Sequence, residues 1–193
     1  MATTGNILFS GVGGQGILLA SEVTVYALLA AGYDAKKSEV HGMAQRGGSV
    51  TAQLRYGEKV YSPLIEPGKA DILISFEMME AARYLPYLHK ESKVIVNTQQ
   101  IKPPAVAMGK IPYPADVLDA ITSLGIQVVT VDAFDIARDA GEVKAANVVM
   151  VGAMSAFLPM EASVYEEIIN TRIPERFREV NLKAFAAGRK ITA

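Results

Sequence analysis

Short apolar runs and longer helical patterns take turns along this chain. Asn6-Ile7-Leu8-Phe9-Ser10 is an apolar run ending in glycine, which predicts a buried first strand. Ile17 to Ala31 is rich in Leu and Ala and apolar on most sides, with Ser21, Glu22 and Thr24 as its polar exceptions. That pattern predicts a helix packed over much of its circumference, closed by Gly32. A second strand is expected over Tyr33 to Val40. Ser49 to Tyr56 alternates with period two and predicts a half-exposed strand, and Gly57-Glu58 predicts a turn back into Lys59-Val60-Tyr61 as a hairpin. Asp71 to Ser75 and Lys93 to Asn97 read as further strands, separated by a helix from about Glu77 to Leu88.

Between Gln99 and Pro114 the prolines at 103, 104, 112 and 114 predict an irregular excursion. Ala115 to Leu124 is helical in pattern and feeds a strand over Gln127 to Val131. The rest predicts four helices, at about Ala133–Ala140, Lys144–Phe157, Ser163–Asn170 and Pro174–Ala187, punctuated by Pro159 and Pro174. Strands alternating with helices predict an α/β fold, with an open, largely parallel sheet and helices on both faces. With no repeat or linker pattern, residues 1–193 read as one domain with a helical C-terminal part.

Composition narrows the chemistry. Half of the 193 residues are hydrophobic and 20% are charged, a globular balance, and the formal net charge of −1 offers no basic field for nucleic acid. The apolar runs are too short and too interrupted to cross a bilayer, and Met1 to Asn6 lacks the pattern of a signal peptide, so a cytoplasmic protein is expected. The chain has no cysteine, which excludes disulfides, thiolate zinc sites and a cysteine-ligated iron–sulfur cluster held by this chain alone. Its two histidines, His41 and His89, are far apart in sequence, so no metal site of its own is expected.

Gly11-Val12-Gly13-Gly14-Gln15-Gly16 satisfies G-x-G-x-x-G between a predicted strand and a predicted helix, a Rossmann-like start. Glycines there let backbone approach a ligand, and a helix N-terminus offers N–H groups to an anion. A dinucleotide site also wants an acidic residue ~20 positions on, for the ribose. Lys36 and Lys37 occupy that spacing and Glu39 comes slightly late, while Gly14 adds a glycine beyond the fingerprint. Two readings stay open: a nucleotide site, or glycines serving strand–helix packing or a subunit contact.

His41-Gly42-Met43-Ala44-Gln45-Arg46-Gly47-Gly48-Ser49 forms a second polar, glycine-rich loop after a strand, where open α/β sheets place ligand sites. Arg46 among small residues suits a phosphate or carboxylate; an ordinary loop with a solvated arginine fits the same residues. His41 can donate, accept or pack. His89, beside Lys90 and Glu91, is expected on the surface at a helix end.

Together, Gly11–Gly16 and Ser38-Glu39-Val40-His41-Gly42-Met43-Ala44-Gln45-Arg46-Gly47-Gly48-Ser49 resemble the γ domain of the 2-oxoacid:ferredoxin oxidoreductases, and the Ser38–Gly48 run resembles the indolepyruvate branch in particular. Asp132-Ala133 and Asn147 to Gly152 fit as well, so the resemblance covers nearly the whole chain. It implies oxidative decarboxylation of a 2-oxoacid with coenzyme A, giving acyl-CoA, carbon dioxide and reduced ferredoxin, with arylpyruvates as substrates. It also implies a large partner subunit carrying thiamine diphosphate, magnesium and iron–sulfur clusters, with ferredoxin reached through the complex. This chain has no Gly-Asp-Gly segment of a thiamine-diphosphate motif, so it is expected to bind none of these groups alone and to be inactive alone.

Gly11, Gly13, Gly14, Gly16, Gln45, Arg46, Gly47 and Gly48, with His41, are the expected coenzyme A or active-site edge; no residue is expected to be catalytic. Tyr165, Ile168, Ile169, Phe177, Val180, Leu182 and Phe185 either dock the partner or complete the core. The alternatives are a stand-alone NAD(P)-binding oxidoreductase and a structural or regulatory partner subunit.

Overall fold

The computed structural model describes residues 4–42 and 47–192. In chain order the first elements are β1 (Gly5–Val12), α1 (Ile17–Ala30), β2 (Asp34–His41), β3 (Ser49–Gly57), β4 (Ala70–Ser75), α2 (Met78–Arg83) and β5 (Leu88–Asn97). Then come α3 (Pro104–Ala107), α4 (Val117–Ser123), β6 (Gln127–Val131), α5 (Ala133–Ala140), α6 (Ala146–Ser155), α7 (Ala162–Arg172) and α8 (Glu175–Arg189).

Among the described residues the strands form a six-stranded sheet in the order β2-β3-β1-β4-β5-β6. β1, β4, β5 and β6 pair in parallel, with Ile7 opposite Ile72, Ile74 opposite Ile95 and Val96 opposite Thr130. β3 is the exception: it runs antiparallel between β1 and β2, with Val12 opposite Ser49 and His41 opposite Val50. β2 therefore points the same way as β1 but lies two strands away.

Period-two alternation sorts the strand side chains into two cores. Ile7, Phe9, Ile72, Ile74 and Ile95 face α1 and the helices α5 to α8. Leu8, Leu73, Val94 and Val96 face α2 and α4. The largely parallel α/β sheet with helices on both faces is thus the observed architecture. Among the described residues, no helix is long and apolar enough to cross a membrane.

Four sequence expectations need correction. Lys59-Val60-Tyr61 forms no hairpin with β3, because both edges of β3 are already taken by β1 and β2. Val60 N instead donates to Asp34 Oδ2 (2.9 Å), and the chain beyond it is held where Ile65 N donates to Gln53 Oε1 (2.6 Å). Nor is β3 half-exposed: its polar side chains are consumed internally, Thr51 by the Tyr84 hydroxyl (2.5 Å) and Arg55 Nε by Asn6 Oδ1 (2.9 Å). The helix expected over Glu77–Leu88 stops at Arg83, since Pro86 has no N–H to continue it, and a 3₁₀ turn at Leu85–Tyr87 leads into the next strand. His89 consequently sits in β5 rather than at a helix end. Its ring is half-buried between Asp71 (3.4 Å) and Glu91 (2.9 Å).

The C-terminal helices are chiefly core. Every residue of α6 is buried, as expected for a helix that is apolar all round. Tyr165, Ile169 and Phe185 are fully buried, with Tyr165 and Phe185 stacked at 5.3 Å, and Ile168 and Leu182 pack against them. Phe177 is the exposed member of the set, under the Arg176 guanidinium at 4.6 Å.

α6 and α8 meet backbone to backbone. A Cβ on Gly152 would overlap the Phe185 carbonyl oxygen, and one on Gly188 would overlap that of Val149. Gly152→Ala and Gly188→Ala are therefore each expected to destabilise the chain by roughly 3 kcal/mol, because the overlap is with backbone that cannot rotate away. Thermal unfolding of the purified variants checks this; melting temperatures equal to the parent's would contradict it.

Candidate functional site

The carboxyl ends of β1, β2, β4, β5 and β6 share one edge of the sheet, and the two glycine-rich loops meet there. Gly13 N donates to Gly48 O (2.8 Å), and Gly47 N donates back to Gly13 O (3.4 Å). This contact extends the β1–β3 ladder by one step past Val12 and Ser49. The insertion of β3 beside β1 brings the loops together, since β3 begins directly after Gly48.

Two of the fingerprint glycines are explained by packing. A Cβ on Gly11 would lie 2.9 Å from both Gln15 Oε1 and Phe76 Cβ. Gly16 adopts a left-handed conformation (φ 78°) at the start of α1, and a Cβ there would lie 2.9 Å from Asn147 Cγ. Gly14 is different: its φ is also positive (105°), but a Cβ would meet nothing within 4 Å. The first backbone bond of α1 runs from Ala20 N to Gly16 O (3.0 Å), which leaves the amides of Ile17, Leu18 and Leu19 ahead of the intrahelical ladder.

Ile17 and Leu18, at that helix start, border a cavity of about 420 Å³ that is also lined by Gly13, Gly14, Gly16, Val50 and His41. A second cavity, about 580 Å³, lies on the other side of the Gly13–Gly48 contact. Gly47, Gly48, Ser49, Arg83, Lys102 and Pro103 are among its walls, and Glu77 and Glu80 form its floor. Gln45 and Arg46, expected at this edge, lie outside the described residues.

Several residues that organise the edge carry no local sequence signal. Glu77 is fully buried and accepts from Glu80 N (2.9 Å), Ile101 N (3.0 Å) and the Tyr113 hydroxyl (2.5 Å). Burial, and then the Glu77 carboxyl beside it, hold the Tyr113 phenol well above its ordinary pKa. Glu80, also buried, accepts from Ser49 Oγ (2.6 Å) and pairs with Arg83 (3.2 Å). Glu77 thereby pins both ends of the proline-rich excursion to the sheet. Asn97 closes the layer: its Nδ2 donates to Phe76 O (3.1 Å) and its Oδ1 accepts from Ala133 N (3.1 Å).

The dinucleotide reading of the glycine loop loses its remaining acidic partner. Glu39 is ion-paired with Lys37, which also approaches Glu22 at 3.9 Å. Moreover β3 separates β2 from β1, so Glu39 is displaced by two strand spacings, about 10 Å, rather than one. Among the described residues, no group of three or more His, Cys, Asp or Glu is placed to hold a metal ion. What the edge offers is a set of backbone amides and a helix N-terminus, groups that bind anions.

A family model described as pyruvate ferredoxin/flavodoxin oxidoreductase matches residues 6–191. The chain is 42% identical over 192 residues to the indolepyruvate oxidoreductase subunit IorB of Thermococcus kodakarensis, which covers 96% of this chain and 94% of that one. Identity to the subunit of the same name from Pyrococcus horikoshii is 41%, with the same coverage. The gamma subunit of a keto/oxoacid ferredoxin oxidoreductase from Geobacter sulfurreducens superposes with a TM-score of 0.73 at 25% identity, covering 97% of this chain and 98% of that chain.

Tyr113→Phe takes one donor from the buried Glu77 carboxyl and is expected to cost about 1–3 kcal/mol. The loss should be local, with amide exchange rising across residues 99–116 ahead of the sheet strands. Hydrogen-exchange mass spectrometry of parent and variant tests it, and an unchanged exchange pattern in that segment would count against the clamp.

Proposed function

The chain belongs to the pyruvate ferredoxin/flavodoxin oxidoreductase family, as a small subunit of a 2-oxoacid:ferredoxin oxidoreductase, and we propose that its glycine loops form the coenzyme A edge of an arylpyruvate-oxidising enzyme. In this reading residues 1–193 act as one γ-type domain, in the cytoplasm, and only with a larger partner subunit. Indolepyruvate is the proposed substrate class, on the strength of the relatives' names and identity.

The overall reaction breaks the bond between the carboxylate and the oxo carbon and releases carbon dioxide. The acyl carbon gains the coenzyme A sulfur, the thiol proton goes to solvent, and two electrons leave for ferredoxin. This chain has neither cysteine nor a Gly-Asp-Gly segment, so its residues do not fit thiamine diphosphate or iron–sulfur clusters. In the proposal those groups, and magnesium, belong to the larger subunit, and ferredoxin meets the complex there.

The observation that carries the chain's own role is the pairing of Gly13 with Gly47 and Gly48 at the carboxyl edge of the sheet. It sets the amides at the start of α1 beside one cavity and Ser49, Arg83 and Lys102 beside the next. Gly11, Gly13, Gly14, Gly16, Gly47 and Gly48 supply close backbone approach. Arg46 and Gln45, in the connecting loop, supply charge and hydrogen bonds to the anionic groups of coenzyme A. His41 borders the smaller cavity and needs no proton-transfer role in this scheme.

Anaerobic purification of the tagged chain from its native host is expected to bring down a brown, thiamine-containing partner with arylpyruvate- and coenzyme A-dependent viologen reduction. In that complex Arg46→Ala should raise KM for coenzyme A about tenfold, the loss of one charge-assisted contact. Recovery of the chain alone, inactive with 2-oxoacids and binding a nicotinamide dinucleotide, would overturn the assignment. An intact complex in which Arg46→Ala has unchanged kinetics would leave the chain a structural subunit.

A further inference from the structure

Gln15 sits in the middle of the glycine loop, yet its side chain turns inward to the sheet edge. Its Oε1 accepts from Val12 N (2.7 Å). Its Nε2 donates to Phe76 O (2.7 Å) and to Gln99 Oε1 (2.6 Å). One amide thus ties the loop after β1 to the segments after β4 and after β5, across 61 and 84 residues of sequence.

The slot for this amide is built in. Gly11 has no side chain where a Cβ would touch Gln15 Oε1, Phe76 Cβ and Ile17 Cδ1, so the first glycine of the loop exists to admit the fifth residue. Phe76 O is a shared acceptor, taking Asn97 Nδ2 as well (3.1 Å). Both protons of the Gln15 amide and its oxygen are engaged, which an isosteric carboxyl or an apolar chain cannot reproduce.

The consequence is geometric. Gln15 fixes Val12 to Gly16, the stretch from which Gly13 reaches Gly48 and Gly14 borders the 420 Å³ cavity. Through Gln99 it also fixes the strand exit that leads to Ile101, Lys102 and Pro103, walls of the 580 Å³ cavity. We infer that Gln15 is a positioning residue that holds the glycine loop in register with the segment after β5, so that both cavities present one continuous edge to coenzyme A. This inference rests on the reading of that edge given above. Gln15 touches no reacting atom in it; it acts through the backbone of Gly13 and Gly14.

The test uses the assembled enzyme with Gln15→Glu, Gln15→Met and, as reference, Arg46→Ala, assayed by viologen reduction against both coenzyme A and oxoacid. Gln15→Glu sets a carboxyl oxygen against Phe76 O and Gln99 Oε1, whereas Gln15→Met only removes the bonds. Both are expected to raise KM for coenzyme A at least tenfold, Glu more than Met, with kcat reduced less than threefold and oxoacid KM unchanged. Equal losses in kcat and in both KM values, or failure of both variants to assemble, would make Gln15 a general structural residue and overturn the inference. If Arg46→Ala raises KM for coenzyme A and the Gln15 variants do not, only the role of Gln15 falls. If none of the three changes it, the reading of the edge falls as well.

Discussion

A strand in the middle of a sheet must have hydrogen-bonding partners on both edges, and in this molecule that requirement is met by running β3 antiparallel between β1 and β2. Much else follows from it. β2 is pushed to the sheet margin, and the loop joining it to β3 lands beside the loop that follows β1. Gly13 and Gly48 then pair as the next rung of the same ladder. A regular parallel order, with β2 next to β1, would have placed Glu39 near the glycine loop and kept the second loop away from it. The arrangement thus trades a dinucleotide-type corner for a double-loop edge.

That edge is braced from both faces of the sheet. On one face α6 lies wholly buried and Asn147 at its first turn reaches Gly16, where its Nδ2 donates to the glycine carbonyl (3.3 Å). α6 is in turn held by α8 at the Gly152–Gly188 crossing, where neither glycine leaves room for a methyl group. On the other face Glu77 and Glu80 anchor α2, the excursion through Tyr113, and Ser49 at the start of β3. Buried carboxyl groups are costly unless every oxygen has a donor, and here each oxygen has one or more.

Much of the fold was readable along the chain, and the two misreadings around β3 have a common origin. β6 and α5 have the bounds that the pattern predicted, because a short apolar run and an amphipathic octet are local signals. The hairpin at Lys59-Val60-Tyr61 was expected from equally good local chemistry, a Gly-Glu turn between alternating segments. It fails because strand pairing is decided by which edges are vacant, and β3 had none. The polar residues of β3 suggested exposure by the same kind of reasoning. In fact Thr51, Gln53 and Arg55 find partners in Tyr84, Ile65 and Asn6, which are 33, 12 and 49 residues away in the chain.

The sequence by itself determined the alternation of strands and helices, a glycine loop between β1 and α1, a second glycine-rich loop after β2, and a chain without thiol ligands. These depend on spacing and residue type over a few positions, so no tertiary information was needed to find them. Only the tertiary structure decided that the two loops touch, that Gly11 makes room for Gln15 and Gly16 for Asn147, and that Glu77 clamps the excursion from below. Each of these pairings joins segments whose separation in the chain is unrelated to their separation in space, so no periodicity records them. Sheet order brings them together, and sheet order is fixed by the global competition for backbone partners and buried surface.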